Sequence, residues 1–130
     1  MKICIVRHGA AVTGSLDDEH RPLTDKGVLQ AQAAGRWLAQ QEWNQPRILV
    51  SPYFRARQTA QAIQESLSLP LVDSALLVPS ADVSAITASL QDEDHDLILV
   101  SHLPLVGRLA AWLVEGQEFD QPWSPAECWV

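Results

Sequence analysis

Two arginines and two histidines stand at the ends of three short apolar runs in this chain. Arg7-His8-Gly9 follows Ile3-Cys4-Ile5-Val6. Ser51-Pro52 follows Ile48-Leu49-Val50 and puts Arg55 in the first turn of the segment behind it. Ser101-His102 follows Leu97-Ile98-Leu99-Val100. A guanidinium is a planar fork for oxyanions, and a neutral imidazole is a nucleophile or proton carrier near pH 7. Together, Arg7, His8, Arg55 and His102 match a phosphoryl group, with no carboxylate in the same short motifs. A carboxylate ligand is the alternative these residue types leave open. Taken singly, each residue has a plainer reading: a strand end in solvent, a surface arginine, a hydrogen-bonded structural histidine. The case for one site rests on the coincidence at three strand ends.

For these residues to meet, the runs must be neighbouring strands of one sheet. A short continuous apolar run reads as a strand buried on both faces. In open parallel sheets, ligands bind just outside the carboxyl ends of the strands. The sequence predicts strands over 2–6, 48–50 and 97–100, and a fourth over 69–72 at an edge because it contains Pro70. Helical patterns lie between them. Thr24 is placed to cap a helix from Asp25 to about Gln41, with Val28, Ala31, Gly35 and Leu38 on one face and with alanines and a glycine that allow close approach to a sheet. A second helix runs from Phe54 to Leu67 with Ala56, Ala60, Ile63 and Leu67 as its stripe. Val83, Ile86 and Leu90 mark a short third helix. Leu105, Leu109, Trp112 and Leu113 mark a fourth, with Gly116 just past its end. The alternation predicts an α/β fold, a three-layer α/β/α sandwich with a mostly parallel central sheet. The tail Ala126-Glu127-Cys128-Trp129-Val130 reads as the start of another strand that then stops. The expectation is a single domain over 1–130, shortened at its C-terminal end. Trp112, Trp123 and Trp129 are expected in the core.

Composition narrows the class. The chain has 130 residues, 47 % of them apolar and 19 % charged, which is globular rather than disordered. Nine basic and sixteen acidic side chains give a net charge of −7. Such a domain does not attract nucleic acid or an anionic membrane in general, so neither is an expected partner. A local arginine cluster that binds an anion must work against this background field. The two cysteines, Cys4 and Cys128, have no zinc-ligand spacing, and no metal is expected. No Gly-x-Gly-x-x-Gly follows the first strand, so dinucleotide binding is not expected. His20 and His95 lie in polar stretches and read as surface residues. The first residues run straight into a strand, with no signal-peptide pattern, and a cytoplasmic location is the simplest expectation.

Four segments carry a family resemblance. Val6-Arg7-His8-Gly9 resembles the Arg-His-Gly signature of the histidine phosphatase superfamily, which includes the cofactor-dependent phosphoglycerate mutases. Leu23-Thr24-Asp25-Lys26-Gly27 is similar to the family's Leu-Thr-x-x-Gly segment. Ser51 to Ala60 resembles its Ser-Pro-x-x-Arg-Ala-x-Gln-Thr stretch. Val100-Ser101-His102-Leu103-Pro104-Leu105-Val106-Gly107 resembles the second histidine motif, in the form typical of small SixA-type phosphohistidine phosphatases. The match runs over nearly the whole chain, in order.

The resemblance implies a phosphoglycerate mutase-like fold and a phosphatase. His8 matches the nucleophile that is transiently phosphorylated. Arg7, Arg55 and His102 match the groups that clamp the phosphoryl oxygens, and Arg21 matches an arginine that also reaches the anion. No cofactor is implied. Most phosphomonoesterases of the superfamily carry an acidic proton donor after the third strand. Here that segment reads Leu76-Leu77-Val78-Pro79-Ser80-Ala81-Asp82-Val83, and Asp82 has the place of a helix N-cap. The missing acid favours a labile phosphoramidate over an alkyl ester. The expected partner is a phosphohistidine-bearing protein, such as a histidine phosphotransfer domain or a sugar-phosphotransferase phosphocarrier. The alternatives are a small-molecule phosphomonoesterase and a non-catalytic phosphate-binding module.

Overall fold

A computed structural model describes residues 2–13, 17–90, 95–115, 123, 125–126 and 128–129. Strands β1 (Ile3–Arg7), β2 (Arg47–Val50), β3 (Leu71–Asp73), β4 (Leu97–Ser101) and β5 (Cys128–Trp129) form one sheet. The order is β3-β2-β4-β1-β5. The first four strands are mutually parallel, and β5 runs antiparallel to β1. Helices α1 (Asp25–Ala39), α2 (Phe54–Gln64), α3 (Val83–Leu90) and α4 (Leu105–Glu115) cover the two faces.

Alternation along the two central strands makes two cores. Cys4 and Val6 of β1 and Ile98 and Val100 of β4 face Leu38 of α1 and Ala56, Ala60 and Ile63 of α2. Ile5, Leu97 and Leu99 point the other way, onto Val83, Ile86 and Leu90 of α3 and Leu105, Val106 and Leu109 of α4. Because the side-chain period of a strand is two, a strand buried on both faces must be apolar throughout. That is why these runs show no polar alternation. Each large side chain buried here contributes about 1.5–3 kcal/mol. The three-layer sandwich expected from the sequence is observed.

Local signals set the boundaries. The Thr24 hydroxyl accepts from the Gly27 N–H at 3.0 Å and caps α1. Asp82 caps α3, its Oδ1 accepting from the Ser84 N–H at 3.0 Å. β3 lies at the sheet edge, as Pro70 requires, but starts at Leu71. At the amino end of the sheet, Asp96 accepts from the backbone N–H of Lys2 at 2.7 Å and of Asn44 at 2.8 Å, tying together the segments that enter three adjacent strands.

Three expectations are corrected. α1 approaches α2 rather than the sheet at Gly35, where a Cβ would lie 2.9 Å from the Ile63 Cα. Trp112 is 39 % exposed and Leu113 is exposed as well; Leu105, Val106, Leu109 and Ala110 face the core instead. The buried face of α4 runs through Leu105, Val106, Leu109 and Ala110, and Trp112 falls on its outward side. His95 is partly buried, whereas His20 is exposed as expected. Trp123 is in the core. Gly116 and the Trp129 side chain lie outside the described residues.

Candidate active site

The sheet order makes β2, β4 and β1 adjacent, so their carboxyl ends form one ledge. Arg7 pairs with Ser101 in register. The His8 N–H then donates to the Ser101 carbonyl at 3.0 Å, and the Ser51 N–H to the Val100 carbonyl at 3.0 Å. The ladder hydrogen bonds therefore continue past the strands and fix where His8, Ser51 and His102 leave the sheet.

His8, Arg55 and His102 meet on this ledge and are 9 %, 3 % and 1 % exposed. The rings of His8 and His102 are 5.1 Å apart, edge to face. His8 Nδ1 is 2.7 Å from the Gly9 carbonyl oxygen, which can only accept, so Nδ1 carries the proton. Nε2 therefore holds the lone pair, and Arg55 Nε donates toward it at 3.3 Å. Burial drives the His8 pKa down most, the Gly9 hydrogen bond opposes this, and the charges of Arg55, Arg7 and Arg21 add to the fall, to about 4. The ring is neutral at pH 7 with its Nε2 lone pair available.

His102 Nε2 lies 2.6 Å from the Ser51 hydroxyl oxygen. Its Nδ1 is buried and has no hydrogen-bond partner among the described residues. Burial, then the neighbouring His8 and Arg55, lowers its pKa to about 2. Tyr53 stacks edge-on to His102 at 5.1 Å and lies under the Arg55 guanidinium at 5.0 Å, holding both by ring contact and cation–π attraction. Arg7 reaches the same end of the sheet and donates through Nη1 to the Trp123 carbonyl.

Arg21 joins the cluster through a residue the sequence reading did not single out. Asp18 lies in a 3-10 turn, Asp18–His20. Its Oδ1 accepts from Arg21 Nε at 3.1 Å and Nη2 at 2.9 Å. Its Oδ2 accepts from Arg55 Nη2 at 3.3 Å, and its backbone carbonyl from Arg55 Nη1 at 2.5 Å. The cluster thus contains a carboxylate, although none of the three strand-end motifs does. No local spacing marks Asp18, since it shares its polar loop with Asp17 and Glu19. Arg57, next to the site in sequence, points away and pairs with Asp73 at 3.5 Å.

A supporting shell comes from the segments that carry the resemblance. The Gly9 N–H donates to Thr59 Oγ1 at 3.1 Å, the Ala10 N–H to Gln30 Oε1 at 2.9 Å and the Leu23 N–H to Gln58 Oε1 at 2.6 Å. A Cβ on Gly9 would sit 2.4 Å from the Gly27 carbonyl oxygen, and one on Gly27 2.0 Å from that of Ala10. The loop that carries His8 and the start of α1 touch backbone to backbone, which only glycine permits.

The family model for the histidine phosphatase superfamily (branch 1) matches residues 3–78. The chain belongs to the histidine phosphatase superfamily. It is 37 % identical over 123 residues to the phosphohistidine phosphatase SixA of Escherichia coli K12, covering 90 % of this chain and 76 % of that protein. It is 35 % identical over 126 residues to the SixA homolog of Haemophilus influenzae, covering 87 % of this chain and 77 % of that one. Among solved structures, the protein histidine phosphatase SixA complexed with tungstate superposes with a TM-score of 0.85 at 34 % identity, over 97 % of this chain and 84 % of that one. The α/β sandwich expected from the sequence is therefore a histidine phosphatase fold. No helix among the described residues is long and apolar enough to cross a membrane.

Proposed function

We propose that this superfamily member is a phosphohistidine phosphatase, removing a phosphoryl group from a histidine on a partner protein by way of a phosphoenzyme at His8. The observation that carries the reading is the fixed tautomer of His8: Nδ1–H anchored on Gly9 and a bare Nε2 facing Arg55. In the first step Nε2 attacks phosphorus, the His8 N–P bond forms, and the P–N bond to the substrate ring breaks. In the second, water attacks phosphorus, the His8 N–P bond breaks, and inorganic phosphate leaves. Arg55, Arg7 and the open Nδ1 of His102 face the developing charge on the equatorial oxygens, and Arg21 reaches the anion from the loop side. Such preorganised donors carry most of the catalysis in phosphoryl transfer. Asp82 is engaged as a helix cap, so the segment after β3 offers no proton donor, which suits a labile phosphoramidate. The SixA relatives are named for this activity, and one was solved with tungstate, an oxyanion of phosphate-like shape.

The test is inorganic phosphate release from a phosphohistidine-bearing protein, run with wild type, His8→Ala and an aryl phosphate ester for comparison. Fast release that is lost in His8→Ala, with slow ester cleavage, is the expected result. Efficient ester cleavage with little action on phosphohistidine overturns the reading in favour of a small-molecule phosphomonoesterase. Phosphate binding without turnover of either substrate would leave only a binding module.

A further inference from the structure

Arg55 has the nucleophile at one end of its guanidinium and a carboxylate at the other. Its Nε faces His8 Nε2, and its Nη2 faces Asp18 Oδ2. His8 is buried, whereas the Asp18 side chain is 59 % exposed, so the guanidinium runs from the floor of the site toward its mouth. A substrate that presents phosphorus to His8 must place its leaving group on the mouth side, in line with the attack. The Asp18 carboxylate, at the far end of the same guanidinium, is the side chain that such a leaving group would approach. A carboxylate accepts about four hydrogen bonds. Arg21 takes two on Oδ1 and Arg55 one on Oδ2, which leaves an acceptor position on the exposed oxygen.

This carboxylate is not built to give a proton. Burial acts to raise its pKa, but the hydrogen bonds and charges of Arg21 and Arg55 outweigh it and hold the carboxyl below its ordinary range. An ionised carboxylate accepts hydrogen bonds only. The leaving group of a phosphohistidine is a ring with a second nitrogen, and that nitrogen carries a proton when the ring is charged. As the P–N bond breaks, its electron pair goes to the ring nitrogen that bore phosphorus. The ring departs as neutral imidazole only if the proton stays on the far nitrogen. An alcohol or phenol has no such N–H.

We propose that Asp18 is the specificity-determining residue of the site: its carboxylate accepts a hydrogen bond from the phosphorus-free ring N–H of the substrate histidine and keeps that proton in place during P–N cleavage. The inference rests on the phosphohistidine reading above. It explains how the site manages without an acid after β3, and why a net negative side chain stands at the mouth of an anion site. The same charge disfavours substrates that bring further anionic groups to the mouth.

The test compares wild type and Asp18→Asn on a histidine peptide phosphorylated with phosphoramidate and on p-nitrophenyl phosphate. The asparagine keeps the size of the side chain and can still accept from Arg55. The expected result is a fall of about tenfold or more in the ratio of kcat/KM for the phosphopeptide to that for the ester. The alkaline limb of the phosphopeptide kcat profile should also move to lower pH, because the ring proton is no longer held. Equal losses on both substrates would overturn the proposal and make Asp18 only a brace for the arginines. Stronger tungstate inhibition of the variant with an unchanged ratio would overturn it too, marking Asp18 as an internal competitor for the clamp. If wild type itself ignores the phosphopeptide and cleaves the ester, the phosphohistidine reading fails first, and this proposal with it.

Discussion

Arg55 Nε points at the Nε2 lone pair of His8 from 3.3 Å. The contact couples two properties usually treated apart. The guanidinium that would meet a phosphoryl oxygen also lowers the proton affinity of the ring that would attack phosphorus. On the proposed reading, a phosphoryl oxygen would take the place of the lone pair as the acceptor for Arg55 Nε.

All three nitrogens of Arg55 are used in different directions: Nε to His8, Nη1 to the Asp18 carbonyl and Nη2 to its carboxylate. An ammonium is a point charge and cannot reproduce that fork. Arg55→Ala is expected to lower kcat by about a hundredfold or more, and Arg55→Lys to recover little of it. Steady-state phosphate release measures both, and near wild-type kcat in the lysine variant would show that charge alone suffices.

The depressed His8 pKa has two consequences of defined sign. With the ring neutral down to about pH 4, the acid limb of kcat/KM assigned to His8 belongs near 4 rather than near 6.5. Stability moves the opposite way from a paired histidine. The unfolded chain takes up a proton near pH 6.5 that the folded ring refuses until about 4, so stability is lost as pH falls through that window. His8 alone should remove about 2 kcal/mol between pH 7.5 and pH 5. Urea unfolding at the two pH values, with His8→Asn as reference, reads the difference, and an equal pH slope in the two proteins would contradict it.

Ser51 is the hydroxyl partner of a fully buried imidazole. If its O–H donates to His102 Nε2, the His102 proton resides on Nδ1, the atom with no other partner. Ser51→Ala leaves Nε2 unpaired, which costs about 1–3 kcal/mol, and releases the tautomer. Lower thermal stability together with weaker tungstate inhibition is expected. Lower stability with unchanged inhibition would confine Ser51 to a structural role.

Gly27 is distant from His8 in sequence but lies against the loop that carries it. A methyl there would meet the Ala10 carbonyl oxygen at 2.0 Å, so backbone must shift. Gly27→Ala is expected to destabilise the fold by about 1–3 kcal/mol and to lower kcat more than KM changes. Calorimetry and steady-state kinetics check both, and a silent substitution would show that the contact gives way easily.

The layered α/β architecture and the placement of arginines and histidines at strand ends were legible in the sequence. Short apolar runs that never alternate, alternating with helical patterns, read as strands buried on both faces, and in a parallel sheet the residues that follow three of them, Arg7-His8, Ser51 to Arg55 and Ser101-His102, fall on one edge. The cap at Thr24, the edge position of the strand after Pro70 and the helix-capping place of Asp82 followed from local chemistry in the same way. Tertiary structure decided what periodicity does not encode. Trp112 sits on an apolar stripe at helical spacing, yet the face of α4 that the fold buries is the one carrying Val106 and Ala110. Asp18 is one acid among several in a polar loop, and only the approach of that loop to α2 distinguishes it. Arg55 and Arg57 are alike in sequence, but the rotation of α2 buries the first and turns the second outward. The proton position on His8 depends on a carbonyl one residue away whose direction is set by Thr59 and Gly27 from two other segments. A strand's period and a residue's type are local properties, whereas the neighbour that orients a side chain is supplied by whichever distant segment the fold brings against it.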